Sequence, residues 1–394
     1  MKKILLASAA IALGASGAYA NDVKIGVLLG FTGPLESMAP NMDAGAELAI
    51  KEVSDSGKFM DGSTVTPVKG DSTCIDASAA TAAAETLVTS DKVSGIVGAQ
   101  CSGATTAVLQ NVAMPNGVVM ISPSATSPAL STMPDDGLFF RTAPSDARQG
   151  DVMADEVIEK GIKSVAVTYT NNDYGKGLAD AFDKAYEAKG GKVTISAAHE
   201  DGKGDYSAEV ASLASAGGDA LVIVGYIDQG GSGILRGALD TGAFSTFVFP
   251  DGMVGKTLED NFGKEINGSI GQYPDSQGQG MDSFLAAAKT AGFDGSSAYS
   301  ASAYDAAALI LLAMQDAKST DPSVYKTKVM EVANGPGEKI YAGELAKGLE
   351  LLKEGKPIDY EGATAVRLIG NGEAAGSFRE ITIKDGKIET VKYR

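Results

Sequence analysis

Hydroxyl side chains follow two short apolar runs in the N-terminal part of the chain. Ser102 stands in "VGAQCSGATTAVLQ" (97–110), before a helical pattern, and Ser124 and Thr126 stand in "SPSATSP" (122–128). A helix start leaves backbone N–H groups without partners and carries partial positive charge. Hydroxyls and free amides can together hold a carboxylate by charge-assisted hydrogen bonds. This first group of residues therefore predicts a carboxylate site.

A second group of residues offers the opposite chemistry. Asp251 follows the apolar run at 245–250, and Tyr174 and Tyr226 follow two other apolar runs. A carboxylate with phenol rings suits an ammonium and an apolar side chain. The two groups together predict a ligand that carries both charges, a zwitterion.

Each of these residues also has a simpler interpretation. Ser102 can be an N-cap that only stabilises its helix, and Ser124 and Thr126 can be ordinary turn residues. Asp251 in "PDG" fits a turn, and tyrosines just past a strand often belong to the edge of a core. The sequence alone leaves these alternatives open.

The elements that must position these residues alternate between strands and helices. Short β-branched runs predict buried strands, and the longer amphipathic runs between them predict helices. This alternation indicates βαβ units and parallel sheets covered on both faces. Ligands of such sheets bind beyond the carboxyl ends of the strands, where both groups of residues stand. The predicted strands are 23–30, 92–98, 117–122, 163–170, 219–225 and 245–250.

The length of 394 residues exceeds one ordinary core and favours two lobes. Seams in the alternation predict three hinge crossings between two doubly wound α/β lobes. The expected lobe 1 comprises 21–140 and 270–375, and the expected lobe 2 comprises 141–269 and 376–394. The last residues predict a β-hairpin around Asp385-Gly386.

The first twenty residues have the pattern of a secretory signal peptide. Lys2 and Lys3 precede a short apolar run at 4–17, and "AYA" (18–20) fits a cleavage site. The apolar run is too short to span a membrane. The residue directly after the expected cleavage point at Ala20 is not a cysteine, so we expect a periplasmic protein without a lipid anchor.

The net charge limits the classes of binding partner, and the cysteine content predicts a covalent cross-link. The formal net charge of −17 disfavours nucleic acid and anionic membranes as partners. Cys74 and Cys101 are the two cysteines of the chain. Export to an oxidising compartment favours one disulfide between them, and two separate buried thiols are the alternative.

Enzyme motifs are missing from the sequence. GxSxG, HExxH, P-loop and GxGxxG patterns do not occur, and His199, the only histidine, cannot build a zinc site of the usual type. "DTG" (240–242) matches the triplet of aspartic proteases, but their chemistry needs a second such carboxylate. Asp240 is more simply the end of a helix that stops at Gly242. We therefore expect no enzyme, no cofactor and no metal.

The chain resembles the substrate-binding proteins of branched-chain amino-acid ABC transporters, the leucine/isoleucine/valine-binding family of type I periplasmic binding proteins. The resemblance covers nearly the whole chain after the signal. It is carried by "GFTGPLESMAPNMDAGAELAI", the "C…IVGAQCSGAT" pair, "ISPSATSPAL", "FFRTAPSD", "NNDYGKGLADAF" and "FPDGMVG", in family-like order.

The resemblance implies a role for each residue of the two groups. Ser102 matches the serine that bonds the ligand carboxylate, and Ser124 matches a position that contributes backbone groups. Thr126 matches a threonine that touches both the carboxylate and the ammonium. Asp251 occupies the acidic position that pairs with the ammonium, usually a glutamate. The cysteine pair matches the family disulfide.

The expected side-chain pocket departs in part from the family. Tyr174 and Tyr226 match aromatic positions of the second lobe. Met38 stands where an aromatic residue often closes the pocket, and Gln100 is a polar residue beside the carboxylate corner. Tyr299, close to a helical pattern, is a further candidate for the cleft. A flexible thioether adapts to several apolar shapes.

We therefore expect a monomeric solute-binding protein that captures an L-amino acid, aliphatic by resemblance, and delivers it to an inner-membrane ABC permease. A ligand-sensing receptor component and an exported amide hydrolase are alternative functions. Within the binding class, a short amide, urea or a carboxylic acid is the alternative ligand.

Overall fold

The computed structural model describes residues 22–394. The signal peptide expected at 1–20 lies outside the described residues and stays a prediction. In the described part, no helix has the length and hydropathy needed to cross a bilayer.

The strands follow the predicted alternation along the chain. In chain order they are β1 (Asp22–Leu29), β2 (Thr64–Asp71), β3 (Ile96–Gly98), β4 (Met120–Ser122), β5 (Phe139–Arg141), β6 (Ser164–Thr170), β7 (Lys192–His199), β8 (Ala220–Val224), β9 (Phe247–Phe249), β10 (Ile270–Pro274), β11 (Glu338–Tyr341), β12 (Ile358–Gly362), β13 (Leu368–Ile369), β14 (Glu373–Ala374), β15 (Phe378–Lys384) and β16 (Lys387–Tyr393).

Helices fill the segments between the strands. They are α1 (Ala39–Asp55), α2 (Ala77–Glu85), α3 (Ser102–Val108), α4 (Met114–Asn116), α5 (Asp146–Glu159), α6 (Asp173–Ala188), α7 (Ser207–Ala216), α8 (Gly230–Thr241), α9 (Lys256–Phe262), α10 (Gln279–Ala291), α11 (Ser300–Ala317), α12 (Pro322–Tyr325), α13 (Lys328–Ala333) and α14 (Leu345–Lys353). Short 3-10 turns lie at Phe59–Asp61, Pro128–Ser131, Asp251–Met253 and Gly263–Ile266, and π turns at Thr86–Ser90 and Leu109–Ala113.

Two seven-stranded sheets organise residues 22–394. Sheet A has the order β13-β14-β5-β4-β3-β1-β2, and sheet B has the order β16-β15-β10-β9-β8-β6-β7. Neighbouring strands are parallel except β13 with β14, and β15 with both β10 and β16. A separate parallel pair joins β11 to β12. We call sheet A with its helices lobe 1 and sheet B with its helices lobe 2.

Sheet A is covered on both faces. Along β1, Val27 and Leu29 pack in the same cluster as α1 and α11, whereas Leu28 packs in a second cluster with α2 and α3. Alternate side chains of a strand point to opposite faces, so a strand buried on both sides is apolar throughout. This arrangement confirms the doubly wound fold class predicted from the sequence.

The chain passes between the sheets three times. It leaves sheet A after β5, leaves sheet B after β10 and leaves sheet A again after β14. The predicted C-terminal hairpin is confirmed, with Lys384 paired to Lys387 across Asp385 and Gly386, both at positive φ. The exact residue limits of the lobes stay predictions.

The edge strands β2 and β7 were not predicted. β2 at one edge of sheet A contains Pro67 and exposes several of its side chains, and β7 at the edge of sheet B is exposed or half-buried at every position except His199. Proline is tolerated on edge strands because one side of the strand needs no ladder hydrogen bond. Neither segment has the continuous apolar run of a central strand.

Candidate ligand site between the lobes

A small pocket lies between the two lobes, at the carboxyl ends of the parallel strands. Eight of the nine predicted ligand-binding residues line it, and Thr126 is the exception. The lining consists of Leu35, Met38, Gln100, Cys101, Ser102, Ser124, Tyr174, Tyr226, Asp251, Gly252 and Tyr299.

Ser102 is the first residue of α3 and is not its N-cap. Cys101 occupies the N-cap position, and among the described residues no side chain caps this helix start. The Ser102 hydroxyl instead accepts a hydrogen bond from the backbone N–H of Ser127 at 3.1 Å, which leaves its own proton to donate. The N-cap interpretation of Ser102 is therefore wrong, and its O–H and the first amides of α3 remain suited to an anion.

Two predicted pocket residues use their side-chain polar atoms within the protein. The Gln100 amide accepts from the Gly30 N–H at 2.9 Å and donates to the Leu35 carbonyl at 3.4 Å. The Ser124 hydroxyl donates to the Gln100 carbonyl at 2.7 Å. These bonds fix the loop after β1 against the loop after β3. Gln100 thus shapes the pocket, and Ser124 is left to contribute backbone groups.

Thr126 does not line the pocket in this structure. Its side chain is fully buried, and its hydroxyl has no hydrogen-bond partner among the described residues. The buried Arg141 guanidinium holds this loop by donating to the carbonyls of Ala125 and Ser127 at 3.0 and 2.9 Å. Arg141 also forms a 2.6 Å ion pair with Glu373. Arg141 therefore fixes the loop that carries Thr126, and its charge is paired with Glu373.

The Asp251 carboxylate is the centre of the opposite wall. It follows β9, is 4% exposed, and accepts hydrogen bonds from Gln149 Nε2 at 2.6 Å, the Tyr299 hydroxyl at 2.7 Å and the Tyr174 hydroxyl at 2.9 Å. Burial raises its pKa, and the three donors counteract that rise. Tyr299 precedes α11 on lobe 1, so its bond to Asp251 joins the two lobes.

Tyr174 and Tyr226 form the aromatic part of the pocket. Their rings stack with centroids 5.3 Å apart at an interplanar angle of 12°. The Tyr226 hydroxyl accepts from Asn172 Nδ2 at 3.3 Å. Burial raises the pKa of both phenols well above the usual value, so they stay neutral and can donate. The rings offer an apolar face beside polar hydroxyls.

Asp146 is a site residue that the sequence analysis missed. It is the first residue of α5, is fully buried, and neither carboxylate oxygen has a hydrogen-bond partner among the described residues. Burial raises its pKa well above the usual value and the charge of Asp251 raises it further, whereas the Thr126 hydroxyl and the Arg141 guanidinium offset part of this rise. In "RTAPSDARQG" this aspartate has the appearance of an ordinary helix-start residue. The one sequence signal that could have singled out Asp146 is its position directly after the first crossing between the lobes.

The disulfide prediction is confirmed, and two separate thiols are ruled out. Cys74 and Cys101 are bonded with their Cα atoms 5.1 Å apart. The bond ties the loop after β2 to the start of α3, next to Ser102. It therefore braces the lobe 1 side of the pocket.

The rim of the cleft is also bridged. The backbone N–H of Ser37 donates to Asp228 Oδ2 at 2.8 Å, and the Asp228 N–H donates to the Pro34 carbonyl at 3.1 Å. Together with the Tyr299–Asp251 bond, these contacts hold the lobes in a closed arrangement.

Across residues 22–394, no cluster of His, Cys, Asp and Glu side chains could hold a metal ion. His199 is buried on β7, where Nδ1 contacts the Thr168 hydroxyl at 2.8 Å and burial lowers the pKa to about 4. It lies outside the pocket.

Two lobes that close over a small polar pocket define a solute-binding protein of the clamshell class. The chain belongs to the periplasmic binding protein family, whose model matches residues 22–335. The family resemblance seen in the sequence is thereby confirmed.

Relatives and solved structures agree with this membership. The chain is 31% identical over 347 residues to Leu/Ile/Val-binding protein homolog 1 of Brucella melitensis, covering 86% of this chain and 89% of that protein. It is 36% identical over 222 residues to homolog 3 of the same organism, covering 55% of this chain and 58% of that protein. In fold it is similar to the branched-chain amino acid transporter substrate binding protein of Streptococcus pneumoniae in complex with isoleucine. The TM-score is 0.77 and the identity is 24%, over 94% of this chain and 100% of that one.

Proposed function

We propose that the chain captures an L-amino acid with an aliphatic side chain in the cleft and delivers it to an ABC permease of the inner membrane. The observation that carries the proposal is the division of charge across the pocket. Hydroxyl and amide donors lie on lobe 1, and the Asp251 carboxylate faces them from lobe 2. The names of the curated relatives and the isoleucine bound in the similar structure support this ligand class.

In this proposal the ligand carboxylate binds the Ser102 hydroxyl, the first amides of α3 and backbone groups near Ser124. The ammonium binds Asp251 and the unpartnered Thr126 hydroxyl. Charge-assisted hydrogen bonds of this kind are stronger than neutral ones. The arrangement needs no cofactor, and binding without chemistry is the function proposed.

The aliphatic side chain would lie among Leu35, Met38 and the stacked tyrosine rings. Leucine has about nine heavy atoms, so a ceiling near 1.5 kcal/mol per atom allows about 13 kcal/mol of binding free energy. Micromolar affinity already takes about 8 kcal/mol of it. Such a ligand must be enclosed on all sides, which is what two closing lobes provide.

Family membership and the N-terminal sequence support a proposal on location and partners. We propose that the signal is cleaved after Ala20, that the protein acts in the periplasm as a monomer, and that the permease recognises the closed form. Disruption of the chain in its host with measurement of leucine uptake separates transport from a sensing role.

Calorimetry with matched ligands tests the ligand assignment. L-leucine is compared with 4-methylpentanoate, which lacks the amine, and with 3-methylbutylamine, which lacks the carboxylate. We expect leucine to bind and each analogue to bind at least about 100-fold more weakly, because each leaves one buried charged or polar wall unpaired.

A variant pair assigns the ammonium. Asp251→Asn should abolish most of the leucine affinity, whereas Asp240→Asn, an exposed aspartate on α8, should leave it unchanged. Equal binding of leucine and 4-methylpentanoate, or full affinity in Asp251→Asn, would contradict the proposal. Preferential binding of urea or a short amide would favour the alternative ligand class.

A further inference from the structure

Two acidic side chains lie buried in or near the pocket: Asp251 lines it, and Asp146 stands one helical turn before Gln149, which donates to Asp251. Asp251 comes from the turn after β9, and Asp146 comes from the start of α5, where the chain first enters lobe 2. Asp146 is 0% exposed and Asp251 is 4% exposed. Burial, and after it the charge of Asp251, raises the pKa of Asp146 well above its usual value. Two like charges in a water-excluded place rarely ionise together.

The two carboxyl groups differ in their hydrogen bonds. Asp251 accepts three, from Gln149, Tyr299 and Tyr174. Neither oxygen of Asp146 makes a hydrogen bond of good geometry within the described residues, and the same holds for the Thr126 hydroxyl and Gln149 Oε1. The Thr126 hydroxyl lies near Asp146 and offsets only part of the effect of burial on its pKa. An ionised carboxylate without donors in a buried place costs several kcal/mol, and protonation removes most of that cost.

The other charged groups that face the pair do not neutralise it. Arg141 is the cation that acts on Asp146, but its guanidinium is engaged by Glu373 and by two backbone carbonyls. The three surrounding phenols, Tyr174, Tyr226 and Tyr299, are kept neutral by burial. If both carboxyl groups of the pair were ionised, one of the two negative charges would therefore have no cation to balance it.

We propose that Asp146 and Asp251 share one proton in the absence of ligand, and that the ammonium of the captured amino acid displaces this proton to water. The inference rests on the proposed function, because it needs a ligand with an ammonium. The charges balance: one proton on two carboxyl groups gives the pair a charge of −1, and two carboxylates with one ammonium give the same total. The unpartnered oxygens of Asp146 and Thr126 then gain a donor and an ionic partner.

Proton displacement makes capture depend on pH. Below the pKa of the pair, the affinity for an amino acid should rise about tenfold per pH unit, because one proton leaves for each ligand bound. A neutral amide brings no positive charge and would leave the proton in place. The pair thus also selects ammonium ligands over amides of similar shape.

Calorimetry of the wild-type protein tests the inference directly. The full chain, freed of co-purified ligand, is titrated with L-leucine at pH 7 in buffers of different ionisation enthalpy. The slope of the observed enthalpy against the buffer enthalpy counts the protons exchanged. We expect release of about one proton per leucine. Leucine binding with no release, or with uptake, would overturn the inference while leaving the proposed function intact. If leucine does not bind at all, both are overturned.

Matched variants locate the proton. Asp146→Asn should reduce the release to near zero and flatten the pH dependence of the affinity. Glu156→Gln removes another buried carboxyl of α5, outside the pocket, and should leave the release unchanged. Undiminished release from Asp146→Asn would overturn the inference. Should that variant fail to fold, the wild-type slope still decides between release and none.

Discussion

Glu156 provides the sharpest test of how burial acts in this fold. It lies on α5 against sheet B, is fully buried, and neither carboxylate oxygen has a hydrogen-bond partner among the described residues. Burial raises the pKa of Glu156 to about 9, and the charge of buried Glu380 adds to the rise. The nearby cations, Lys160, Lys392 and Arg394, only partly offset it.

The sign of the effect follows from the direction of the shift. The folded protein holds a proton on Glu156 between pH 4.5 and about 9, whereas the unfolded chain releases it near pH 4.5. The stability contributed by that proton is therefore present below pH 4.5 and is lost as the pH rises. Each pH unit in this window costs about 1.4 kcal/mol, so the loss between pH 6 and pH 8 is about 2.7 kcal/mol.

Glu156→Gln replaces the protonated carboxyl by a neutral side chain of the same shape. The variant should gain about 2.7 kcal/mol of unfolding free energy relative to wild type on going from pH 6 to pH 8. Urea unfolding followed by circular dichroism, with the disulfide intact, measures this difference. Tryptophan fluorescence is not an option, because the chain contains none.

Glu159→Gln is the matched control on the same helix. Glu159 is exposed and pairs with Arg394 at 2.5 Å and Lys392 at 2.9 Å, which lowers its pKa to about 2. Its contribution changes only in acid, so the difference from wild type should be flat between pH 6 and pH 8. A flat difference for Glu156→Gln as well would refute the argument, since Glu156 would then be ionised in the folded protein.

Three further changes test the walls of the pocket. Tyr299→Phe removes a donor to Asp251 that joins the lobes, and calorimetry should show that the affinity for leucine falls by a factor of up to about ten. An unchanged affinity would mean that this hydrogen bond does not favour closure. Arg141→Met leaves its glutamate partner unpaired and frees two carbonyls, so urea unfolding should show a loss of about 3–5 kcal/mol; a loss below about 1 kcal/mol would contradict the buried ion pair. Replacing Cys74 and Cys101 by serine should cost about 3–4 kcal/mol by the same assay and also weaken leucine binding, and an unchanged midpoint would refute the bracing role of the disulfide.

Much of the fold could be predicted from the sequence because central strands are apolar along their whole length. β8 has this pattern, and β1 has it over 25–29; the ends of such strands indicated where polar residues would converge. β2 did not, because an edge strand with Pro67 buries only part of its residues. Edge strands carry less sequence signal since one side needs no partner.

The site could be predicted by residue type but not by hydrogen-bond partner. Ser102, Ser124 and Asp251 all line the pocket, yet the sequence could not show that the Ser124 hydroxyl is used by the Gln100 carbonyl. That bond depends on how two loops 24 residues apart pack together. Asp146 escaped for a similar reason, because its importance arises from the neighbour it meets in space.

The bridge from Asp228 to the Pro34–Ser37 loop separates the strength of capture from its selectivity. These two hydrogen bonds are made by the protein alone, so the free energy they give to the shut state is the same whatever molecule is inside. Removing the Asp228 carboxylate should therefore lower the affinity for every ligand by the same factor and leave the ratios between the affinities unchanged. Evolution can in this way tune the working concentration range of the protein at its rim without altering the choice made at its centre.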